Sequence, residues 1–265
     1  MAQATHLERR FGGIAKLYGT HGLERFTNSH VCVIGVGGVG SWAVESLARS
    51  GIGEITMIDL DVVAESNINR QLPAMSSTLG NDKTAVLAER ITDINPDCRI
   101  HIIDDFISIE NVAELLTRSM DFVMDCIDSS RVKAALISHC KRHKIKVITV
   151  GGAGGQIDPA KITLGDLSQT QQDPLLSKTR KLLRQEYGLS RDPKKRFSVP
   201  AVYSLEAQRY ALKDGSFSFD KPAESGSSLS CAGGLGSCTT VTASFALRAV
   251  AEVLKKLAAT PSHQD

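Results

Sequence analysis

The sequence predicts an α/β protein built on a doubly wound, mainly parallel sheet. Three features carry this: short apolar runs with almost no polar interruption, helical stretches between them, and a glycine-rich turn directly after the first run. Strands buried on both faces read as near-continuous Val/Ile/Leu runs. Their alternation with helices of about 10–15 residues implies βαβ units.

His30 to Val36 is the first such run, and a helix follows from Val39 to about Arg49 with Trp42, Leu47 and Ala48 as candidate core positions. Glu54 to Asp59 is the second strand, ending in an acidic cluster. Lys83 to Ile94 reads as a helix that Asn95-Pro96 stops, since the residue before proline disfavours helical backbone. Arg99–Ile103 is the third strand, 109–118 a short helix, and Phe122–Ile127 the fourth strand. Val132–Lys144 is the next helix and Ile145–Val150 the fifth strand, closed by the glycines of 151–155. Right-handed crossovers place the connecting loops of such a sheet at the carboxyl ends of its strands, where ligands bind.

Beyond residue 155 the pattern weakens. Gln156–Leu167 alternates like an edge hairpin or outer strand, and 173–187 reads as a basic helix starting at Asp173-Pro174. Strand-like pieces recur near Val199–Leu205 and Phe217–Phe219. The expectation is one domain over 1–265, with a nucleotide-binding core in 1–155 and a substrate-facing extension in 156–265. From Cys231 to Leu247 there are 17 residues without a charge. A spanning helix needs about 20 mostly apolar residues, and this stretch opens with Gly233, Gly234 and Gly236, so a buried helix behind a glycine-rich loop is expected, with no stable membrane association.

With 42% hydrophobic and 23% charged residues among 265, the composition excludes a disordered chain, a collagen-like repeat and a small disulfide scaffold. The six cysteines form no CxxC pair, so no zinc is expected. Cys32 and Cys126 sit in apolar runs, where a thiol acts as a small hydrophobe. Met1 to Arg10 has no apolar stretch of the signal-peptide kind, and the reading is cytoplasmic.

Gly35, Gly37 and Gly40 form a GxGxxG between the first strand and first helix, with Gly38 inside it. Glycines there permit a tight turn and close backbone approach, and the helix start offers N–H groups to phosphate oxygens. Asp59 ends the second strand, where a carboxylate accepts from ribose hydroxyls. Asp61, Asn67, Asn69, Arg70 and Lys83 follow, and Asp128 stands just past the fourth strand. A dehydrogenase leaves its pyrophosphate intact and needs no such cations. An enzyme cleaving ATP needs fixed positive charge and a metal around the phosphates. Plainer roles stay open: a solvated helix end for Lys83, a loop ion pair for Arg70, an N-cap for Asp128.

Gly35 to Val63, Asn67-Ile68-Asn69-Arg70-Gln71, Lys83, Ile94-Asn95-Pro96 and Asp125-Cys126-Ile127-Asp128 together resemble the ubiquitin-activating-enzyme-like (ThiF-type) superfamily, whose members bind ATP on a Rossmann-like sheet and adenylate a carboxylate. The resemblance implies nucleotide roles for Gly38 and Asp59, phosphate contacts for Arg70 and Lys83, and Mg²⁺ at Asp128. The catalytic set it implies is Arg70, Lys83 and Asp128.

Softer motifs, Arg10 to Gly13, Leu17 to Gly19, Gly151 to Pro159 and Asp173-Pro174, look like the branch that adenylates the threonyl carboxylate of a modified tRNA adenosine beside the anticodon and lets it cyclise. The missing CxxC pairs, and Ser129 where sulfur-carrier activators usually have Asn, agree with that branch. Activation of a ubiquitin-like sulfur carrier, a partner with a Gly-Gly tail, remains the alternative, and a regulatory nucleotide-binding module without turnover is the third; a cysteine-desulfurase or sulfur-acceptor system is a further partner expectation. A homodimer is implied, with Arg10 a weaker candidate for reaching the partner's ATP.

Lys178, Arg180, Lys181, Arg184, Arg191, Lys194, Lys195 and Arg196 face only Glu186 and Asp192, a local charge of +6 on a chain of +2. Such a stretch fits phosphate neutralisation on tRNA, or else a solvated helix face. Cys231, ahead of Gly233, is a candidate thiol carrier or a structural cysteine.

Overall fold

The computed structural model describes residues 6–220 and 235–259. Cys231, Gly233 and Gly234 lie outside the described residues. The chain runs α1 (His6–Tyr18), α2 (Thr20–Thr27), β1 (His30–Ile34), α3 (Gly40–Arg49), β2 (Glu54–Ile58), α4 (Lys83–Ile94), β3 (Arg99–Ile103), α5 (Val112–Leu115), β4 (Phe122–Asp125), α6 (Ser130–His143), β5 (Val147–Val150), β6 (Ile162–Asp166), α7 (Pro174–Gln185), β7 (Pro200–Ser204), β8 (Tyr210–Ala211), β9 (Phe217–Ser218) and α8 (Thr239–Ala258).

The main sheet has the order β3-β2-β1-β4-β5-β7-β6. Its pairs are parallel except β6 with β7. The predicted α/β doubly wound sheet is therefore the observed one. Strand order reverses between β1 and β4, which opens a crevice at their carboxyl ends.

Side-chain alternation sorts the core into two layers. Val31 and Val33 of β1, with Phe122 and Met124 of β4, face α3, α4 and α8. Cys32, Ile34 and Val123 face α6 and α7. α8 is buried along Val241, Phe245, Ala249, Val250 and Val253, and no described helix is long and apolar enough to cross a membrane.

Residues past 155 enter the sheet itself. β7 pairs with β5 through Thr149–Ala201 and Val150–Val202, and β6 forms the antiparallel edge. α1 and α2, which the sequence reading omits, pack through Phe11, Leu23 and Phe26.

Three local expectations are corrected. The helix expected over 109–118 is only Val112–Leu115. Asn111 accepts from the Ser108 amide at 2.7 Å and donates to the Phe106 carbonyl, side-chain bonds that compete with helix. Trp42 packs against the core but is half-buried rather than inside it, and its indole Nε1 donates to the Arg70 carbonyl at 3.0 Å. β4 ends at Asp125, so Cys126 lies past the strand, half-buried at the crevice wall.

Candidate active site

The crevice between β1 and β4 is a cleft of about 470 Å³, within the ordinary range for small-molecule sites. Gly35 opens the glycine turn at φ +79°, a left-handed conformation that a side chain would strain. At Gly40 a Cβ would lie 1.9 Å from the Gly35 carbonyl oxygen, so only glycine lets α3 start this close to the strand end. Gly35, Gly37 and Gly38 line the cleft, whereas Gly40 sits behind it as the packing glycine.

Asp59 fixes this turn. Its Oδ2 accepts from the Val36 amide at 2.7 Å and its Oδ1 from the Asp61 amide at 2.9 Å. Burial pushes its carboxyl up, opposed by those amides and the Lys83 charge. Each oxygen keeps a second lone pair for a ligand hydroxyl.

Lys83 opens α4 with its side chain almost wholly buried, and its Nζ meets Asp61 Oδ2 at 2.8 Å. Arg70 is held by the Ser66 carbonyl at 2.7 Å and Asn69 Oδ1 at 2.9 Å. Its side-chain carbons lie 3.4 and 3.6 Å from where a Gly38 Cβ would be, so it covers the glycine turn. Asp128 is exposed at the opposite rim. Ser129, not Asp128, holds the N-cap position of α6, without a side-chain capping bond, so Asp128 lies outside the helix.

The cleft thus brings together Gly35, Gly37, Gly38, Asp59, Asp61, Asn67, Arg70, Lys83 and Asp128. Asn67 accepts from the Ala64 amide at 3.1 Å and so shapes the loop. Asn69 does not line the cleft; its Nδ2 donates to the Ser237 carbonyl at 2.7 Å. Arg10 is also elsewhere, donating to the Asp93 and Ile94 carbonyls at the end of α4.

Two residues outside the sequence-based set stand out. Gln71 is buried in the cleft wall with its Oε1 lacking a hydrogen-bond partner, and an orphaned buried acceptor marks a place for a ligand donor. Its proximity to the Asn67–Arg70 segment was the available signal. Lys133, on α6, forms a fully buried ion pair with Asp125 Oδ1 at 2.8 Å, and Thr149 donates to Asp125 Oδ2 at 2.7 Å. This network sits beneath the cleft floor at the ends of β4 and β5. Asp173 continues it on the next loop, accepting from the Gly152 amide at 3.0 Å while capping α7 through the Leu176 amide.

Residues beyond 155 also reach the cleft: Leu175, Gln208, Leu235, Ser237 and Thr242 line it. The basic stretch divides. Lys178, Lys181, Arg191, Lys194, Lys195 and Arg196 are exposed. Arg184 packs its guanidinium 5.3 Å from the Phe197 ring centre, and Arg180 is half-buried, donating to Thr170 Oγ1.

A glycine-lined cleft with a lysine, an arginine and a rim carboxylate is suited to bind a nucleoside triphosphate and stabilise charge on its phosphates. Comparison with known proteins agrees. The tRNA threonylcarbamoyladenosine dehydratase of Haemophilus influenzae is 51% identical over 258 residues, spanning 97% of this chain and 96% of that protein. The Escherichia coli enzyme of the same name is 48% identical over 97% of this chain and 96% of its own. The crystal structure of the E. coli enzyme in complex with ATP superimposes with a TM-score of 0.86 at 43% identity, covering 100% of both chains. The model of the ThiF family matches residues 12–264, and the chain belongs to that family.

Proposed function

We propose that the chain is an ATP-using adenylating enzyme that dehydrates threonylcarbamoyladenosine in tRNA, at position 37 beside the anticodon, to its cyclic form. The observation that carries the reading is the convergence of Arg70, Lys83 and Asp128 on one glycine-lined cleft in a chain that matches named dehydratases along 97% of its length. It is preferred over activation of a sulfur-carrier protein because the dehydratases match end to end.

The chemistry is balanced by ATP. A substrate carboxylate oxygen attacks the α-phosphorus, the bond to the β-phosphate oxygen breaks, and pyrophosphate leaves. The substrate's own nucleophile then attacks the activated carbonyl, loses its proton, and displaces AMP. The net change in the RNA is the loss of one water. In this scheme the glycine turn and start of α3 receive phosphate oxygens, and Asp59 orients the ribose. Arg70 and Lys83 offset the charge that builds on the transferring phosphate. Mg²⁺ takes one or two carboxylates with phosphate oxygens and water as its other ligands, and the exposed rim carboxylate of Asp128 fits that pattern. When bound, the ion would neutralise phosphate charge.

The exposed lysines and arginines of 178–196 are the proposed tRNA-facing side. Exposed Leu60, Val62, Ile68, Met75 and Leu79 cluster on the crossover between β2 and α4, and this apolar patch supports a homodimer. The cytoplasm is the proposed location.

The test is incubation with ATP and tRNA bearing the modified adenosine, followed by mass spectrometry of the nucleosides. The expected product is lighter by one water, with AMP release that depends on tRNA. AMP release without tRNA, or only with a carrier protein ending in Gly-Gly, overturns the proposal.

A further inference from the structure

Next to the nucleotide cleft lies a second recess of about 350 Å³, bounded by Asp173, Ser177, Arg180, Gln208, Tyr210 and Phe219. We propose that this recess receives the unpaired nucleobase and the carbonyl-bearing stem of its side chain, whose terminal carboxylate reaches the cleft, with Tyr210 and Phe219 as stacking wall and the Arg180 guanidinium as donor to the stem's carbonyl oxygens. The inference rests on the dehydratase reading and adds to it where the substrate is read.

The two compartments are adjacent. Gln208 lines both compartments. Its Nε2 donates to the Gly154 carbonyl at 3.3 Å on the cleft side, and its Oε1 accepts from the Tyr210 hydroxyl at 3.1 Å on the recess side. Asp173, on the recess floor, holds the Gly152 amide of the cleft at 3.0 Å. A substrate whose carboxylate reacts with ATP, and whose base is only a few bonds away, needs two compartments that share a wall.

Aromatic rings surround the mouth of the recess. Phe217 and Phe219 of the β8–β9 hairpin are 52% and 57% exposed, with ring centres 5.6 Å apart. The Arg209 guanidinium lies 4.7 Å from the Phe217 ring centre and 5.9 Å from that of Phe219. Aromatic rings left open to solvent beside a cation are the features that bind unstacked bases of single-stranded RNA. Core packing would have buried them.

Arg180 completes the lining. A guanidinium carries five N–H donors in a planar fork, and the bond to Thr170 Oγ1 uses only part of that capacity. Partly withdrawn from water, it discriminates between a base that carries carbonyl oxygens on its side chain and one that does not, because leaving donors unmatched there is costly.

Binding of two anticodon stem-loop RNAs, one with the modified adenosine and one without, tests this by fluorescence anisotropy. The wild-type protein should prefer the modified loop. Phe219→Ala should weaken the modified loop about 5- to 150-fold, the equivalent of one stacked base, with ATP affinity unchanged. Arg180→Gln should abolish the preference while binding of the unmodified loop stays within about twofold of wild type; Arg180→Lys, with its thermal melt, guards against a folding defect. Wild-type protein without a preference, or variants that bind both loops as wild type does, overturns the inference. A preference for the modified loop without AMP release supports the recess and overturns the dehydratase reading instead.

Discussion

Lys83 and Lys133 each place Nζ 2.8 Å from an aspartate oxygen, yet their removal should have opposite consequences. In the Lys83 pair the lysine side chain is 5% exposed and Asp61 is 54% exposed. Lys83→Met keeps the buried methylene stem and leaves Asp61 in contact with water, so the stability change should stay below about 1 kcal/mol. In the Lys133 pair both side chains are 0% exposed. Lys133→Met strands the Asp125 carboxylate with the Thr149 hydroxyl and a long bond from the Ile127 amide, at 3.4 Å, to offset it, a loss of about 3–5 kcal/mol. At about 2–4 °C per kcal/mol for chains somewhat under this size, the melting temperature should fall by about 6–20 °C in Lys133→Met and by less than about 4 °C in Lys83→Met. Turnover should reverse the order for equally folded protein. Loss of one preorganised charge donor lowers kcat about 10²–10³-fold, so Lys83→Met should be nearly inactive while melting normally. The assay pairs thermal melts with tRNA-dependent AMP release at saturating ATP. Turnover of Lys83→Met within about threefold of wild type refutes its phosphate role, and an unshifted melt of Lys133→Met refutes the buried-pair argument.

Three further outcomes are expected. Asp128→Asn should raise the Mg²⁺ concentration for half-maximal AMP release by at least about tenfold, since even outer-shell partners of a metal cost that much; an unchanged Mg²⁺ titration removes Asp128 from the metal. Charge reversal at Lys194, Lys195 and Arg196 together should weaken tRNA binding, flatten its salt dependence by about 0.7–0.9 per lost phosphate contact, and leave ATP binding intact; unchanged tRNA affinity at low salt refutes the patch. Burial pushes the Glu45 carboxyl up, but hydrogen bonds from Arg90 and Arg49 outweigh it and hold it below its ordinary value of 4.5. The stability it contributes is therefore present above about pH 4.5 and lost as pH falls through the lower folded value. Glu45→Gln should flatten acid denaturation in that window, and an identical acid limb in both proteins contradicts the pairing.

The local pattern of the sheet was legible because buried parallel strands carry almost no polar residues, as in Val31 to Ile34 and Phe122 to Met124. The glycine-lined end of the cleft was legible for a related reason: Gly35, Asp59 and Lys83 sit at strand and helix ends whose positions the same pattern sets. What stayed hidden depends on contacts between distant segments. β7 inserts between β5 and the edge strand β6, so the strand-like piece at 200–204 lies inside the main sheet, a placement its local sequence does not give. Lys133 reads as one more charge on a helix until Asp125 is found against it. Gln71 is an ordinary polar residue in sequence, and only its burial with an unpartnered oxygen gives it meaning.

The same non-local dependence explains why Arg70 can be fixed in a loop. Its carbonyl accepts from Trp42 Nε1 at 3.0 Å and from Thr242 Oγ1 at 3.4 Å. The preceding Asn69 carbonyl accepts from Thr239 Oγ1 at 2.6 Å, while the Asn69 amide reaches Ser237. Backbone on either side of the arginine is therefore clamped between α3, which starts at the glycine turn, and the start of α8, which lies about 170 positions later in sequence. A residue that must meet developing charge without reorganising needs such support, and neither half of the chain supplies it alone. The buried face of α8 along Val241, Phe245 and Val250 anchors that clamp in the core, so α8 acts on the proposed nucleotide site through the placement of Arg70.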